Sequence, residues 1–170
     1  PILDNSASMY NSTDSSGKAK AIAHYVAKNS TYLYNNIMFF SDRPKLVELG
    51  YTYKGDMKIL NSCNDVANTD FSKVMKALEK IQDYPDYFLV LSDMEFDEGS
   101  NQTKDDAMKI IKEKSEKTRI IWWNFNSRQV TFPETDEYGN IFLSGYSPQL
   151  LSLLNVNFDL ENIINGMVEE

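Results

Sequence analysis

The sequence of 170 residues has one cysteine, Cys63, and lacks any long uninterrupted apolar stretch. A single cysteine excludes an internal disulfide and a cysteine-rich zinc site. The longest dense apolar run, residues 87–91, has the length of a β-strand, whereas a membrane-spanning helix needs about 20 apolar residues. No basic start followed by an apolar stretch is present either, so these residues show no targeting segment and predict no contact with a membrane.

Positive charge is also scarce. Lysine and arginine number 17 against 25 aspartate and glutamate residues, which gives a net charge of −8 and a pI near 4.7. Because a face that binds nucleic acid is normally basic, this balance argues against broad contact with phosphates and favours a bound cation or a basic partner. The hydrophobic content of 42% and the chain length predict one domain, residues 1–170, with a sizeable core.

Apolar strand-like runs alternate with helix-period segments along the chain, and this alternation predicts an α/β fold. The segment at 45–49 follows the strand at 36–40 after a short turn, which indicates an antiparallel edge strand. Residues 51–58 are expected to cross the surface, with a short extended piece at 57–60, and the segment around Pro133 is expected to form a loop. Strands are predicted at 2–4, 36–40, 45–49, 87–91, 119–125 and 141–143, and helices at 18–28, 71–81, 104–116 and after Ser147 and Asp159.

The expected architecture is a doubly wound, mainly parallel sheet with one antiparallel edge strand and helices on both faces. In such a sheet the first and central strands are neighbours, and the loops at their carboxyl ends converge on one crevice. Three polar segments fall at this edge. They carry Asp4, Ser6 and Ser8 after the first strand, Thr69 before the helix at 71–81, and Asp93 after the central strand.

These five side chains offer two carboxylates and three hydroxyls, a set of oxygen ligands that suits a hard divalent cation such as Mg²⁺, or alternatively Mn²⁺ or Ca²⁺. Asp4, Ser6 and Ser8 alternate in sequence, so they can face one point while the intervening residues point away. With few protein charges around it, the cation would stay electrophilic and could accept an acidic ligand from a partner.

The pattern resembles the von Willebrand factor A (VWA) family, whose metal-ion-dependent adhesion site is a D-x-S-x-S motif followed by a threonine and an aspartate from later loops. Asp4, Ser6 and Ser8 match the motif, and Thr69 and Asp93 match the two later ligands. Short strings at 92–97, 123–124 and 144–147 resemble the C-terminal A-domains of Ro/TROVE-type RNA-binding proteins and a related family in phages, large viruses, bacteria and plants.

The resemblance implies a metal-dependent recognition module without catalytic residues, forming the C-terminal part of a longer protein. It implies a protein partner that supplies an acidic ligand to the metal, a Rossmann-like VWA fold and a cytoplasmic location in a phage, viral or bacterial setting. In a Ro-like ribonucleoprotein, RNA contact would fall mostly on regions outside this chain, in agreement with its acidic charge.

Other interpretations remain open on the residues alone. A haloacid-dehalogenase-type phosphohydrolase also has an aspartate after its first strand, but it needs a second aspartate where Ser6 stands. A response-regulator receiver could use Asp93 for phosphorylation, but it leaves the first motif unexplained. A structural domain with a vestigial metal site is the third alternative. The simplest interpretation is that the serines and Thr69 only cap helices.

Overall fold

The computed structural model describes residues 1–10, 15–40, 43–63, 71–93, 100–125 and 131–146. The strands are β1 Ile2–Asp4, β2 Asn36–Phe40, β3 Lys45–Glu48, β4 Tyr87–Ser92, β5 Arg119–Asn124, β6 Thr131–Thr135 and β7 Ile141–Ser144. They form one sheet in the order β3-β2-β1-β4-β5-β7-β6. The five inner strands are parallel, and the expected antiparallel pairing of β3 with β2 is confirmed.

A second antiparallel edge strand, β6, departs from the sequence prediction, which placed a loop around Pro133. The strand pairs with β7, and its register shifts between Thr131 and Glu134, the interval that contains this proline. Proline has no N–H to donate and is therefore tolerated at sheet edges and bulges. The expectation of a single antiparallel edge was wrong because an edge strand does not need an uninterrupted β-forming sequence.

Helices cover both faces of the sheet, as expected. They are α1 Ser15–Asn29, α2 Tyr53–Ser62, α3 Phe71–Leu78 and α4 Ser100–Lys114, and a short 3₁₀ helix spans Ala7–Tyr10. One core cluster joins α1 and α2 to one face of the sheet, and a second joins α3 and α4 to the other face. The doubly wound α/β class is therefore confirmed. The two helices predicted after Ser147 and Asp159 lie outside the described residues.

Helix α2 corrects the prediction that residues 51–58 cross the surface and that 57–60 are extended. Thr52 caps the helix, and its side chain accepts a hydrogen bond from the backbone N–H of Gly55. Leu60 is fully buried, and Met57 packs against the same core cluster. Met57 and Leu60 have the spacing of residues on one face of a helix, but the polar residues around Gly55 made this pattern hard to see in the sequence.

Strand β1 lies between β2 and β4, which confirms that the first and central strands are neighbours. The register pairs Ile2 with Val90 and Leu3 with Leu91 in parallel. The carboxyl ends of β1 and β4 therefore meet at one edge of the sheet, where the polar segments begin. In the part of the chain that the structure describes, no helix is long and apolar enough to cross a membrane.

Candidate metal centre

Asp4 is the last residue of β1, and its side chain is buried, with an exposed fraction of 3%. One carboxylate oxygen, Oδ1, accepts a hydrogen bond from the backbone N–H of Ser6 at 2.8 Å. The other, Oδ2, accepts from the hydroxyl of Ser92 at 2.6 Å. These bonds fix the carboxylate at the edge of the sheet.

Ser6 and Ser8 stand side by side after this turn. The hydroxyl oxygen of Ser6 lies 3.0 Å from that of Ser8, within hydrogen-bonding distance. The chain between them enters the 3₁₀ helix Ala7–Tyr10, in which Ala7 is exposed and Met9 is buried. The short helix thus anchors the loop through Met9 while the two hydroxyls remain adjacent.

Asp93 directly follows β4 and is 4% exposed. Because β1 and β4 are parallel and in register, Asp93 comes close to Asp4, and its negative charge contributes to the raised pKa of Asp4. Ser92, the last residue of β4, was not among the predicted site residues, although its hydroxyl donates a hydrogen bond to Asp4. The signal for it was available, since extending the strand register by one step places Ser92 opposite Asp4.

The electrostatic surroundings of Asp4 at this edge of the sheet are unusual for a carboxylate. Burial and, to a smaller extent, the charge of Asp93 raise the pKa of Asp4 to about 6, although the hydrogen bonds from Ser92 and Ser6 oppose the shift. Among the described residues, no lysine, arginine or histidine forms an ion pair with Asp4. Two buried carboxylates therefore share one edge of the sheet, where ionisation of Asp4 is disfavoured.

Four of the five predicted ligands, Asp4, Ser6, Ser8 and Asp93, lie on two adjacent segments at the same edge of the sheet. The fifth, Thr69, lies outside the described residues. Among the described side chains, no group of three histidine, cysteine, aspartate or glutamate residues could hold a metal ion. Any cation site here depends on hydroxyls as well as carboxylates.

The donor set fits a small hard cation. Mg²⁺ binds oxygen at about 2.0–2.1 Å in octahedral geometry, so two adjacent ligands of the ion lie about 3 Å apart. The distance of 3.0 Å between the hydroxyl oxygens of Ser6 and Ser8 matches this spacing. A divalent cation would also offset the cost of two neighbouring buried carboxylates. The residues present therefore suit Mg²⁺ in type, charge and spacing.

Comparison with known proteins identifies the family of the chain and a solved structure with a similar fold. A family model described as "Domain of unknown function (DUF7788)" matches residues 2–167. The chain belongs to this family. No curated protein matches the chain significantly.

Among solved structures, the crystal structure of the Deinococcus radiodurans Ro (RSR) protein is similar to this member of the family, with a TM-score of 0.62 and 14% sequence identity. The match covers 90% of this chain and 32% of that protein. At this level of identity the likeness supports the α/β fold alone, and the chain spans about a third of the length of the Ro protein.

Proposed function

We propose that the domain is a divalent-cation-dependent recognition module of the adhesion-site type, built as an interaction domain like those expected in Ro-like proteins. Asp4, Ser6, Ser8, Thr69 and Asp93 would hold Mg²⁺, or Mn²⁺ or Ca²⁺ in its place. The observation that carries the proposal is that two buried carboxylates lie at the same edge of the sheet as two serine hydroxyls, whose oxygens are 3.0 Å apart.

Each group has a defined task in this proposal. Asp4 and Asp93 supply negative charge, the serine hydroxyls supply neutral oxygens, and Ser92 orients the Asp4 carboxylate through its 2.6 Å hydrogen bond. A cation bound by so few charges remains a Lewis acid that can take a carboxylate from outside the chain. The partner is therefore a protein surface that presents an aspartate or glutamate side chain. Any RNA contact would fall on regions outside these residues, because this chain carries a net charge of −8.

The proposal assigns no catalytic step to these residues. A phosphohydrolase of the haloacid dehalogenase type needs an acid two positions after its nucleophile, and Ser6 cannot act as that acid at neutral pH. The Ser6 hydroxyl instead contacts that of Ser8. Hydrolysis of p-nitrophenyl phosphate by the wild-type protein, lost in Asp4→Asn, would overturn this part of the proposal.

The cation site is tested by comparing substitutions at the two ends of β4. Asp93 follows this strand in the candidate site, whereas Asp86 precedes it at the opposite edge and is exposed. We expect Asp93→Asn to weaken Mn²⁺ binding at least about 10-fold, as measured by calorimetry and by electron paramagnetic resonance, because it removes one of two carboxylates. The control variant Asp86→Asn should bind Mn²⁺ as the wild type does. Equal binding by both variants, or no binding by the wild type, contradicts the proposal.

A further inference from the structure

A buried lysine lies one layer behind the candidate metal loop. Lys20, in the second turn of α1, is 6% exposed. Its ammonium group donates hydrogen bonds to the hydroxyl oxygen of Tyr10 at 3.2 Å and to the Oδ1 of Asn61 at 3.1 Å. The same group lies 5.0 Å from the centre of the Tyr10 ring. Within the described part of the chain, these partners are uncharged, which is uncommon for a buried lysine.

The contacts continue from Tyr10 into the metal motif. The Tyr10 hydroxyl donates to the Oδ1 of Asn5 at 2.7 Å. Asn5 is 2% exposed, and its backbone N–H donates to the carbonyl of Phe40 in the neighbouring strand. Asn5 lies between Asp4 and Ser6, so a single line of hydrogen bonds runs from Lys20 through Tyr10 to the residue that separates two proposed ligands.

We propose that Lys20 is a positioning residue for the metal centre, acting through Tyr10 and Asn5 to hold the backbone in the shape that brings the Asp4 and Ser6 oxygens together. This inference rests on the proposed cation site, which it deepens. Groups that orient metal ligands without touching the ion commonly change metal affinity by about 10- to 100-fold when they are removed. Lys20 would belong to this class.

The positive charge of Lys20 strengthens the contacts that hold Tyr10 in place. An ammonium that donates to a phenol oxygen polarises the phenol and strengthens the bond that its own O–H donates, here to Asn5. The ring contact also restricts Tyr10, whose side chain is 44% exposed and would otherwise have more rotational freedom. A neutral side chain at position 20 would supply neither effect.

The matched experiment uses two lysines of the same helix. Lys18 lies 5.2 Å from the centre of the Tyr146 ring and so makes the same kind of contact with a different tyrosine. We expect Lys20→Met to weaken Mn²⁺ binding in calorimetry by about 10-fold or more. Lys18→Met should change the affinity less than twofold. Equal affinities of the two variants would overturn the proposal.

Tyr10→Phe separates positioning from general packing, because it keeps the ring and removes the hydroxyl that reaches Asn5. We expect a loss of Mn²⁺ affinity similar to that of Lys20→Met. In the double variant the two losses should not multiply, because both substitutions break the same line of hydrogen bonds. Multiplicative losses would indicate two independent structural effects and would contradict the proposal.

A metal-free measurement completes the design. The Ser6 amide is bonded to Asp4, so its hydrogen exchange reports on the shape of the loop without any cation. We expect faster exchange in Lys20→Met and Tyr10→Phe than in Lys18→Met, and unchanged exchange would refute the inference. If the wild type binds no Mn²⁺, the proposed function fails, while this measurement still decides whether Lys20 orders the loop. If Lys20→Met does not fold, Tyr10→Phe alone carries the test, because it breaks the same line of hydrogen bonds and keeps the ring.

Discussion

Two buried aspartates of this domain have opposite electrostatic surroundings. Asp4 at the end of β1 receives hydrogen bonds from a serine hydroxyl and a backbone N–H, and it lies near a second carboxylate. Asp56 in the first turn of α2 is fully buried and lies 2.9 Å from the His24 Nε2 and 3.0 Å from the Lys28 Nζ. Asp56 is therefore paired with the lysine Lys28, whereas Asp4 has no such cationic partner among the residues that the structure describes.

The Asp56 cluster joins two helices and a loop. The backbone N–H of Gly50 donates to its Oδ1 at 2.6 Å, and the ammonium of Lys28 also donates to the carbonyl of Gly50. Burial alone raises the pKa of Asp56, but the hydrogen bonds from Lys28, His24 and Gly50 outweigh burial, so the pKa lies below its usual value. The folded state therefore favours the charged form of Asp56 and disfavours that of Asp4.

The difference distinguishes a structural carboxylate from a candidate ligand. A buried charge that is paired within the chain stabilises the fold, and removing its partner is costly. A buried charge beside a like charge destabilises the metal-free fold, and a bound cation reduces this repulsion.

The same substitution should have opposite effects at the two positions. Asp56→Asn should lower the free energy of unfolding by about 3 kcal/mol, because Lys28 loses its ionised partner. Asp4→Asn should raise it by about 1 to 3 kcal/mol at neutral pH in EDTA, since a neutral amide avoids the cost that the raised pKa represents. Urea unfolding of both variants measures the effects. A loss of stability in both variants would contradict the distinction between Asp4 and Asp56.

The pH dependence of the metal-free protein should separate the two groups. The pKa of Asp4 is raised to about 6, so its folded form retains a proton that the unfolded form releases, and its contribution to stability falls as pH rises from about 4 to 6. The expected fall is about 3 kcal/mol, obtained as the difference between the wild type and Asp4→Asn. Asp56 has a lowered pKa, so its contribution is lost only as pH falls below its usual titration range. Denaturant unfolding at a series of pH values checks both signs.

Magnesium should stabilise the protein through the Asp4 site. A ligand at 100 times its dissociation constant raises the free energy of unfolding by about 2.7 kcal/mol if it binds only the folded state. We expect this gain in the wild type and in Asp86→Asn, and none in Asp4→Asn. Thermal unfolding with and without Mg²⁺ measures it, and an equal gain in Asp4→Asn would show that the ion acts elsewhere.

The smallest expected effect concerns the hydroxyl that orients Asp4. Ser92→Ala removes the hydrogen bond to the Oδ2 of Asp4 and should lower metal-free stability by about 1 kcal/mol at neutral pH. It should also raise the pKa of Asp4 further, because that bond favours the ionised form. A titration of the Asp4 carboxyl carbon by NMR detects the change. Ser62→Ala, on the exposed end of α2, is the control.

Much of the fold could be predicted from the sequence because its signals are local. The continuous apolar run of β4 and the helical spacing of α3 identify these elements directly, and the short turn between β2 and β3 indicates their antiparallel pairing. The segments that were misassigned, α2 and β6, contain Gly55 and Pro133, residues that normally interrupt such elements. Capping by Thr52 and a place at the sheet edge made them compatible with helix and strand.

The candidate site was less accessible to sequence reasoning. The D-x-S-x-S spacing indicated Asp4, Ser6 and Ser8. The structure places Asp4 near Asp93 and the two serine hydroxyls next to each other, while their role with a cation remains a prediction. Residues that act from a distance along the chain had no such pattern. Lys20 reaches the metal loop through Tyr10, and the Asp56 cluster joins residues of different elements, so only the folded chain reveals these contacts.

The position of β1 between β2 and β4 has a consequence for when the site can exist. Asp4 reaches its place at the edge of the sheet only after β2 and β4 have docked on both sides of β1 from distant parts of the chain. Cation binding would therefore require that the sheet has fully assembled. A partly folded chain would lack affinity for Mg²⁺, and the ion would select molecules whose whole sheet is complete.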